Sequence, residues 1–168
     1  MSDLSQLYQQ VILDHAKQRH GYGLAEAADA ESVQVNPTCG DEVRLQVHLD
    51  LAGGAGAGPR ITEVTWEGVG CSISQASVSV LSDLIAGVEI ARADEITEAF
   101  RALMDGRGEP LADAREEILG DATAFVGVAR YPARIKCALL GWMALRDATA
   151  KALVADSGQH EETTRSET

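Results

Sequence analysis

The chain carries three cysteines, and the first two are bracketed by glycines and turn formers, where a loop meets a regular element. Cys39 sits in Asn36-Pro37-Thr38-Cys39-Gly40-Asp41, Cys71 follows Gly68-Val69-Gly70, and Cys137 lies in Arg134-Ile135-Lys136-Cys137-Ala138. Successive cysteines are 32 and 66 residues apart, which is no zinc-finger spacing, so only the tertiary fold can bring them together. An odd number of thiols argues against a disulfide framework and suits the reducing cytoplasm. Two readings follow. Three soft donors with the nearby carboxylate of Asp41 make a four-ligand metal site. Alternatively, three small apolar side chains fill the core, as free cysteine often does. The flanking glycines favour the first.

Local chemistry differs among the three. Gly40 allows a tight, positive-φ turn that lets Cys39 and Asp41 converge on one centre. Cys71 opens a helix, where unpaired amides favour the thiolate. Cys137 lies in the first turns of another helix, with Lys136 adjacent and Arg134 three residues earlier. Nearby cations also favour a thiolate, although Arg134 need not share the Cys137 face and Lys136 points farther away.

Hydrophobic periodicity sets the fold class. Leu4, Leu7, Tyr8, Val11 and Ile12 mark a helix over 3–17. Val33 and Val35, then Val43, Leu45, Val47 and Leu49, read as strands broken by the Pro-Thr-Cys-Gly turn. The glycine-rich stretch 51–59 is a flexible loop between antiparallel strands, and Ile61–Glu67 is the next strand, with imperfect alternation. From Ser72 the period becomes helical to near Gly87, then again over 94–104, 112–119 and from Pro132 or Ala133 to Val154. The sequence therefore predicts an α+β domain, a small three-stranded antiparallel sheet packed against helices. That domain spans 1–155, and 156–168 is expected to be a disordered acidic tail.

Composition removes several function classes. In 168 residues, 14 basic and 26 acidic side chains give a net charge of -12, which repels phosphate backbones and argues against nucleic acid. No window approaches the ~20 apolar residues of a membrane span, and the start of the chain does not read as a signal peptide. A cytoplasmic protein without membrane association is expected.

Four ordered motifs give the chain a family resemblance over roughly residues 4–155. They are Tyr8-Gln9-Gln10-Val11-Ile12-Leu13-Asp14-His15, Asn36 to Asp41, Gly68-Val69-Gly70-Cys71-Ser72-Ile73-Ser74-Gln75-Ala76-Ser77, and Pro132 to Ala138. Together they resemble the U-type iron–sulfur cluster assembly family, the NifU N-terminal and IscU-like proteins with a SufE/NifU-like fold. Within it the chain is most similar to the SUF-system branch of zinc-dependent sulfur acceptors. Scaffold members place a histidine just before the third cysteine, where this chain has Lys136, and the stretch between Cys71 and Cys137 resembles the longer form of that branch.

The resemblance implies a Zn2+ site made by Cys39, Asp41, Cys71 and Cys137. It also implies that a PLP-dependent, SufS-like cysteine desulfurase passes persulfide sulfur to Cys39 after a histidine of the desulfurase displaces that thiol from zinc. Arg134 matches the arginine that the branch carries near its site. The sulfur then moves to the downstream SUF cluster-assembly complex. The chain would thus be a sulfur-transfer partner rather than a stand-alone enzyme. One alternative is a scaffold on which the same four residues hold a nascent [2Fe–2S] cluster. Another is a purely structural zinc protein. His15 reads as a capping or packing residue, His48 as a surface residue, His160 as part of the tail, and Trp66 and Trp142 as packing aromatics. Asn36 and Asp14 are candidates to brace the site or its loops.

Overall fold

The structure is a computed structural model that describes the backbone at residues 2–53, 56 and 58–166, and side chains over the same residues except 113 and 159–166. Its first helix, α1, is Asp3–Gln18, opened by Ser2, whose hydroxyl accepts the Ser5 N–H at 3.2 Å. It ends at Arg19 in the left-handed region, φ 45°, whose N–H returns to the His15 carbonyl. Strands β1 (Ala30–Asn36), β2 (Asp41–Asp50) and β3 (Arg60–Val69) form an antiparallel meander. Helix α2 (Ser72–Ile85) follows, then β4 (Val88–Glu89), α3 (Ile90–Asp105), α4 (Asp113–Leu119), a 3-10 segment Gly120–Arg130, and α5 (Pro132–Ser166).

The α+β class holds, with four strands in place of the three expected. The extra strand β4 has two residues, too few for any alternation, and pairs Val88 with Ile61 and Glu89 with Arg60. An Arg60–Glu89 ion pair at 3.4 Å closes that edge. Because β4 leads directly into α3, that helix begins a turn before the expected residue 94.

The imperfect alternation in β3 has a structural cause. Register runs His48↔Glu63 and then Leu49↔Ile61, so Thr62 is the extra residue of a bulge. The bulge resets the facing, and Ile61, Val64 and Trp66 all enter the core. In β1 the pattern is reversed: Val33 and Val35 are about half exposed, while Ser32 and Asn36 face inward. Ser32 donates to Asp147 Oδ2 of α5 at 2.6 Å, so the inward polar positions tie the strand to a helix.

Helix α5 lies against β1 and β2, α2 lies against β3, and α1 packs on α2 and the 3-10 segment. Phe100 of α3 stacks on Trp142 of α5, with centroids 4.6 Å apart, and meets Phe125 edge-on at 5.8 Å. Both tryptophans are packing aromatics as expected, with Trp66 donating to the His20 carbonyl and Trp142 to Ser77 Oγ. Helix α5 continues to Ser166 where a tail without regular structure was expected from 156. That stretch has no apolar stripe to reveal a helix, and Ala155, Ser157 and Gly158 are exposed, so helical geometry there is local rather than driven by core burial. Gly54, Ala55 and Ala57 of the expected flexible loop, and the side chain of His160, lie outside the described residues. Among the described residues no helix is long and apolar enough to cross a membrane.

Candidate metal centre

The β1–β2 turn places the first two donors. Asn36 pairs with Asp41, leaving Pro37, Thr38, Cys39 and Gly40 as the turn. Asn36 holds it twice, its carbonyl accepting the Gly40 N–H at 2.8 Å and its Oδ1 accepting the Thr38 N–H at 3.2 Å. Gly40 takes φ +75°, which an L side chain would resist. Cys39 is thereby exposed at the tip, while Asp41, the first residue of β2, is 3% exposed.

The neighbouring strand delivers the third donor. Glu42 pairs with Val69, so β3 ends beside the start of β2 and the chain turns there into α2. Cys71 is the N-cap residue of that helix. Its N–H donates to Asp41 Oδ1 at 3.2 Å, and its Sγ lies 3.5 Å from Asp41 Oδ2. Gly70 makes this approach possible. A Cβ there would stand 2.5 Å from Ser74 Oγ and 2.7 Å from Asp41 Oδ1.

Cys137 comes from the second turn of α5, buried, with its Sγ 3.4 Å from that of Cys39. Asn36 Nδ2 points at the same sulfur from 4.0 Å, so the residue that shapes the turn also touches the buried thiol. The donor atoms of Cys39, Asp41 and Cys137 all lie within 4.8 Å of one another, and Cys71 joins them through Asp41. Of the two readings of the cysteines, convergence is the one the fold displays.

Electrostatics separates the donors. Burial raises the Asp41 pKa, but hydrogen bonds from Cys137, Cys39 and the Cys71 amide and thiol outweigh it, and the carboxyl ends below its ordinary range. Cys137 moves the other way. Burial pushes its thiol well up, and Asp41 and Cys39 push it further. This corrects the expectation that nearby cations favour its thiolate. Lys136 is exposed, and Arg134 Cζ sits 5.0 Å over the Tyr131 ring. Among the described residues no hydrogen bond or ion pair joins Arg134 to Cys39, Asp41, Cys71 or Cys137. Arg134 instead lines a groove of about 780 Å³ with Tyr8, Ile12, Leu13, Ser72 and Tyr131. Ser72, the residue after Cys71, brings the groove to the start of α2, and Tyr131 carries no motif that would single it out from sequence.

The donor set fits a tetrahedral metal. Zinc–sulfur bonds near 2.3 Å and zinc–oxygen bonds near 2.0 Å imply donor–donor edges of about 3.8 and 3.5 Å. Here the Cys39–Cys137 edge is 3.4 Å and the Cys71–Asp41 edge 3.5 Å. Thiolate-rich sites of this kind also suit iron–sulfur clusters.

The family model of the NifU-like N-terminal domain matches residues 7–138, which include all four donors. The chain is 39% identical over 150 residues to the zinc-dependent sulfurtransferase SufU of Bacillus subtilis, covering 89% of this chain and 94% of that protein. It is 36% identical over 148 residues to the iron–sulfur cluster assembly scaffold protein IscU of Streptococcus pyogenes, covering 88% and 86%. A crystal structure from Fervidobacterium islandicum, described as an iron–sulfur cluster assembly scaffold protein for the SUF system, superposes with a TM-score of 0.70 at 34% identity. That match covers 85% of this chain and 96% of the other.

Proposed function

The chain belongs to the family of NifU-like N-terminal domains, which act in iron–sulfur cluster assembly, and we propose that it is a zinc-dependent sulfur acceptor for a cysteine desulfurase. Cys39, Asp41, Cys71 and Cys137 would hold the zinc, which when bound keeps its thiol ligands deprotonated. The observation that carries the reading is the contrast at the site: Cys39 is exposed at a turn tip, 3.4 Å from a Cys137 that is buried. A transferable thiol has to be reachable, and a retained one has to be held.

The transfer itself is a thiol exchange. The Cys39 thiolate attacks the outer sulfur of the desulfurase persulfide, a new sulfur–sulfur bond forms on Cys39, and the old one breaks. The desulfurase cysteine leaves as a thiolate, so electrons and atoms balance without an added oxidant. Asp41 and Cys137 keep their places meanwhile, one fixed by hydrogen bonds and the other by burial. A protein partner has apolar surface to rest on. Exposed Val35 and Val69 flank Glu42 on adjacent strands immediately behind the two thiol loops. Arg134, standing on the Tyr131 ring at the groove, is placed to meet an anionic group of that partner. The PLP belongs to the desulfurase. Reduced thiols suit a cytoplasmic setting, and the recipient of the sulfur would be a SUF-type cluster-assembly complex. Residues 1–155 form the assembly domain in this reading, with the helical continuation beyond them as an appendage.

The likeness to scaffold proteins favours a second reading, in which the same donors carry a [2Fe–2S] cluster as cargo. Exposed Lys136, standing where the resemblance puts a histidine in scaffolds, counts against it. The test is desulfurase turnover on cysteine with the zinc-loaded protein and with Cys39→Ala. Stimulation that vanishes in Cys39→Ala is expected. No stimulation, together with a stable cluster formed from iron and sulfide, would replace this reading with the scaffold.

A further inference from the structure

Two hollows border the start of α2, and each holds an arginine resting on a tyrosine ring. Arg19, at the end of α1, has its Cζ 4.1 Å from the Tyr22 ring centroid, and Tyr22 meets the buried Trp66 edge-on at 5.0 Å. Arg19 and Lys17 line an open depression of about 480 Å³ with Gln75 and the Gly68-Val69-Gly70 stretch that leads into Cys71. Arg134, over Tyr131, lines the larger groove with Arg130 and Ser72. On the reading of this chain as a partner of a cysteine desulfurase, we propose that Arg19 and Lys17 seat the carboxylates of an acidic segment of that desulfurase. They form a second cationic anchor beside the one Arg134 supplies.

The distribution of charge points to an acidic occupant. The chain bears 26 acidic against 14 basic side chains, yet neither hollow has a carboxylate in its wall. Elsewhere Arg44, Arg60, Arg92, Arg101, Arg146 and Lys151 each pair with a carboxylate of their own chain. Among the described residues Lys17, Arg19, Arg130 and Arg134 make no such pair. Four cations without carboxylates around one helix start, in a chain of net charge -12, make a local positive field that steers an acidic surface toward Cys71.

Stacking prepares Arg19 for this role. A guanidinium over an aromatic ring keeps its charge and its N–H edge, and that fork matches a carboxylate in two hydrogen bonds. The ring also limits the side chain's freedom, so less entropy is lost when a partner arrives. Lys17 is exposed and adds a second charge of adjustable position. Val69, 73% exposed in the same depression, supplies the apolar contact that protein interfaces place beside their charges. The depression is open rather than enclosed, which suits side chains of a protein more than a small molecule that has to be surrounded.

Binding of the zinc-loaded chain to an immobilised SufS-type cysteine desulfurase, followed by biolayer interferometry at low and high salt, tests this. Arg19→Glu and Lys17→Glu should each raise Kd about tenfold at low salt, mainly through slower association, and should flatten its salt dependence. Arg19→Lys, which keeps the charge and loses the fork, should fall between them and wild type. Arg92→Glu on α3 should bind as wild type does. Both tested positions are exposed, and the replacements keep a non-glycine residue at the Arg19 φ of 45°, so the variants should fold and hold as much zinc as wild type. Arg19→Glu and Lys17→Glu that bind like wild type would overturn the proposal, whether or not sulfur reaches Cys39. Sulfur on Cys39 is read separately by mass spectrometry, so an acceptor that docks elsewhere is told apart from a chain that is no acceptor. Self-association of wild type in sedimentation velocity, lost in Arg19→Glu while desulfurase binding is unchanged, would give the seat to a second copy and overturn the proposal as well.

Discussion

Cys39 and Cys137 are 3.4 Å apart, yet they belong to different kinds of structure. Cys39 rides on a four-residue turn between two strands, its neighbours Thr38 and Gly40 exposed with it. Cys137 is set into α5 among core residues, with Ala138 and Leu140 buried beside it. A turn can move its tip at little cost, whereas a buried helical residue moves only with its packing. The difference teaches how one donor set can both keep a metal and free a sulfur: the exchangeable ligand is on the hinge-like element, and the permanent ones are on the sheet and the helix.

The sharpest way to break this comparison is to remove the buried thiol. Cys137→Ala should lower zinc affinity by more than the ~100-fold seen for outer-shell losses, read by competition with a chelator. Asn36 links the two regions, bonding the turn and the Cys137 sulfur together. Asn36→Ala should cost about 10–100-fold in zinc affinity, with the secondary structure unchanged by circular dichroism.

Two glycines sharpen the comparison at smaller scale. Gly70→Ala would drive a methyl into Ser74 Oγ and Asp41, and should destabilise the fold by about 1–3 kcal/mol in urea titration while also weakening zinc. Gly40→Ala meets open space and suffers only its positive φ, about 1 kcal/mol. The smallest effect is expected behind the site, where Ser32 of β1 bonds Asp147 of α5. Ser32→Ala should cost about 1 kcal/mol near neutral pH. The Ser32 hydroxyl, followed by Lys151, holds the Asp147 carboxyl below its ordinary value of 3.8. The bond's contribution is therefore complete above that value. It fades as pH falls through the lower folded pKa, where wild type and Ser32→Ala should converge.

Much of this was legible in the chain because it is written in local chemistry. Pro37, Gly40 and the alternation around them mark the turn, and Gly70 before Ser72 marks the helix start that Cys71 caps. The meeting of Cys39 with Cys137 was not legible from spacing, since it depends on α5 lying across β1 and β2. Motif order supplied what spacing lacked. The bulge at Thr62 was visible only as broken alternation, and β4 is too short to leave a pattern. The His20–Asp83 contact at 2.6 Å is not legible in the chain, because it joins the turn after α1 to α2 over 63 residues. Resemblance sets Arg134 near the thiols, and the fold rests its guanidinium over the Tyr131 ring, 5.0 Å from the centroid.

The most direct measurement is where the sulfur lands. Zinc-loaded protein would be incubated with a cysteine desulfurase and cysteine, alkylated without reduction, and digested for mass spectrometry. The account predicts a sulfane sulfur on the Cys39 peptide and none on those of Cys71 or Cys137. Sulfur on Cys137 with Cys39 unmodified would contradict the division between an exchangeable turn thiol and a retained buried one, and sulfur on Cys71, which is also exposed, would move the acceptor from the turn to the start of α2.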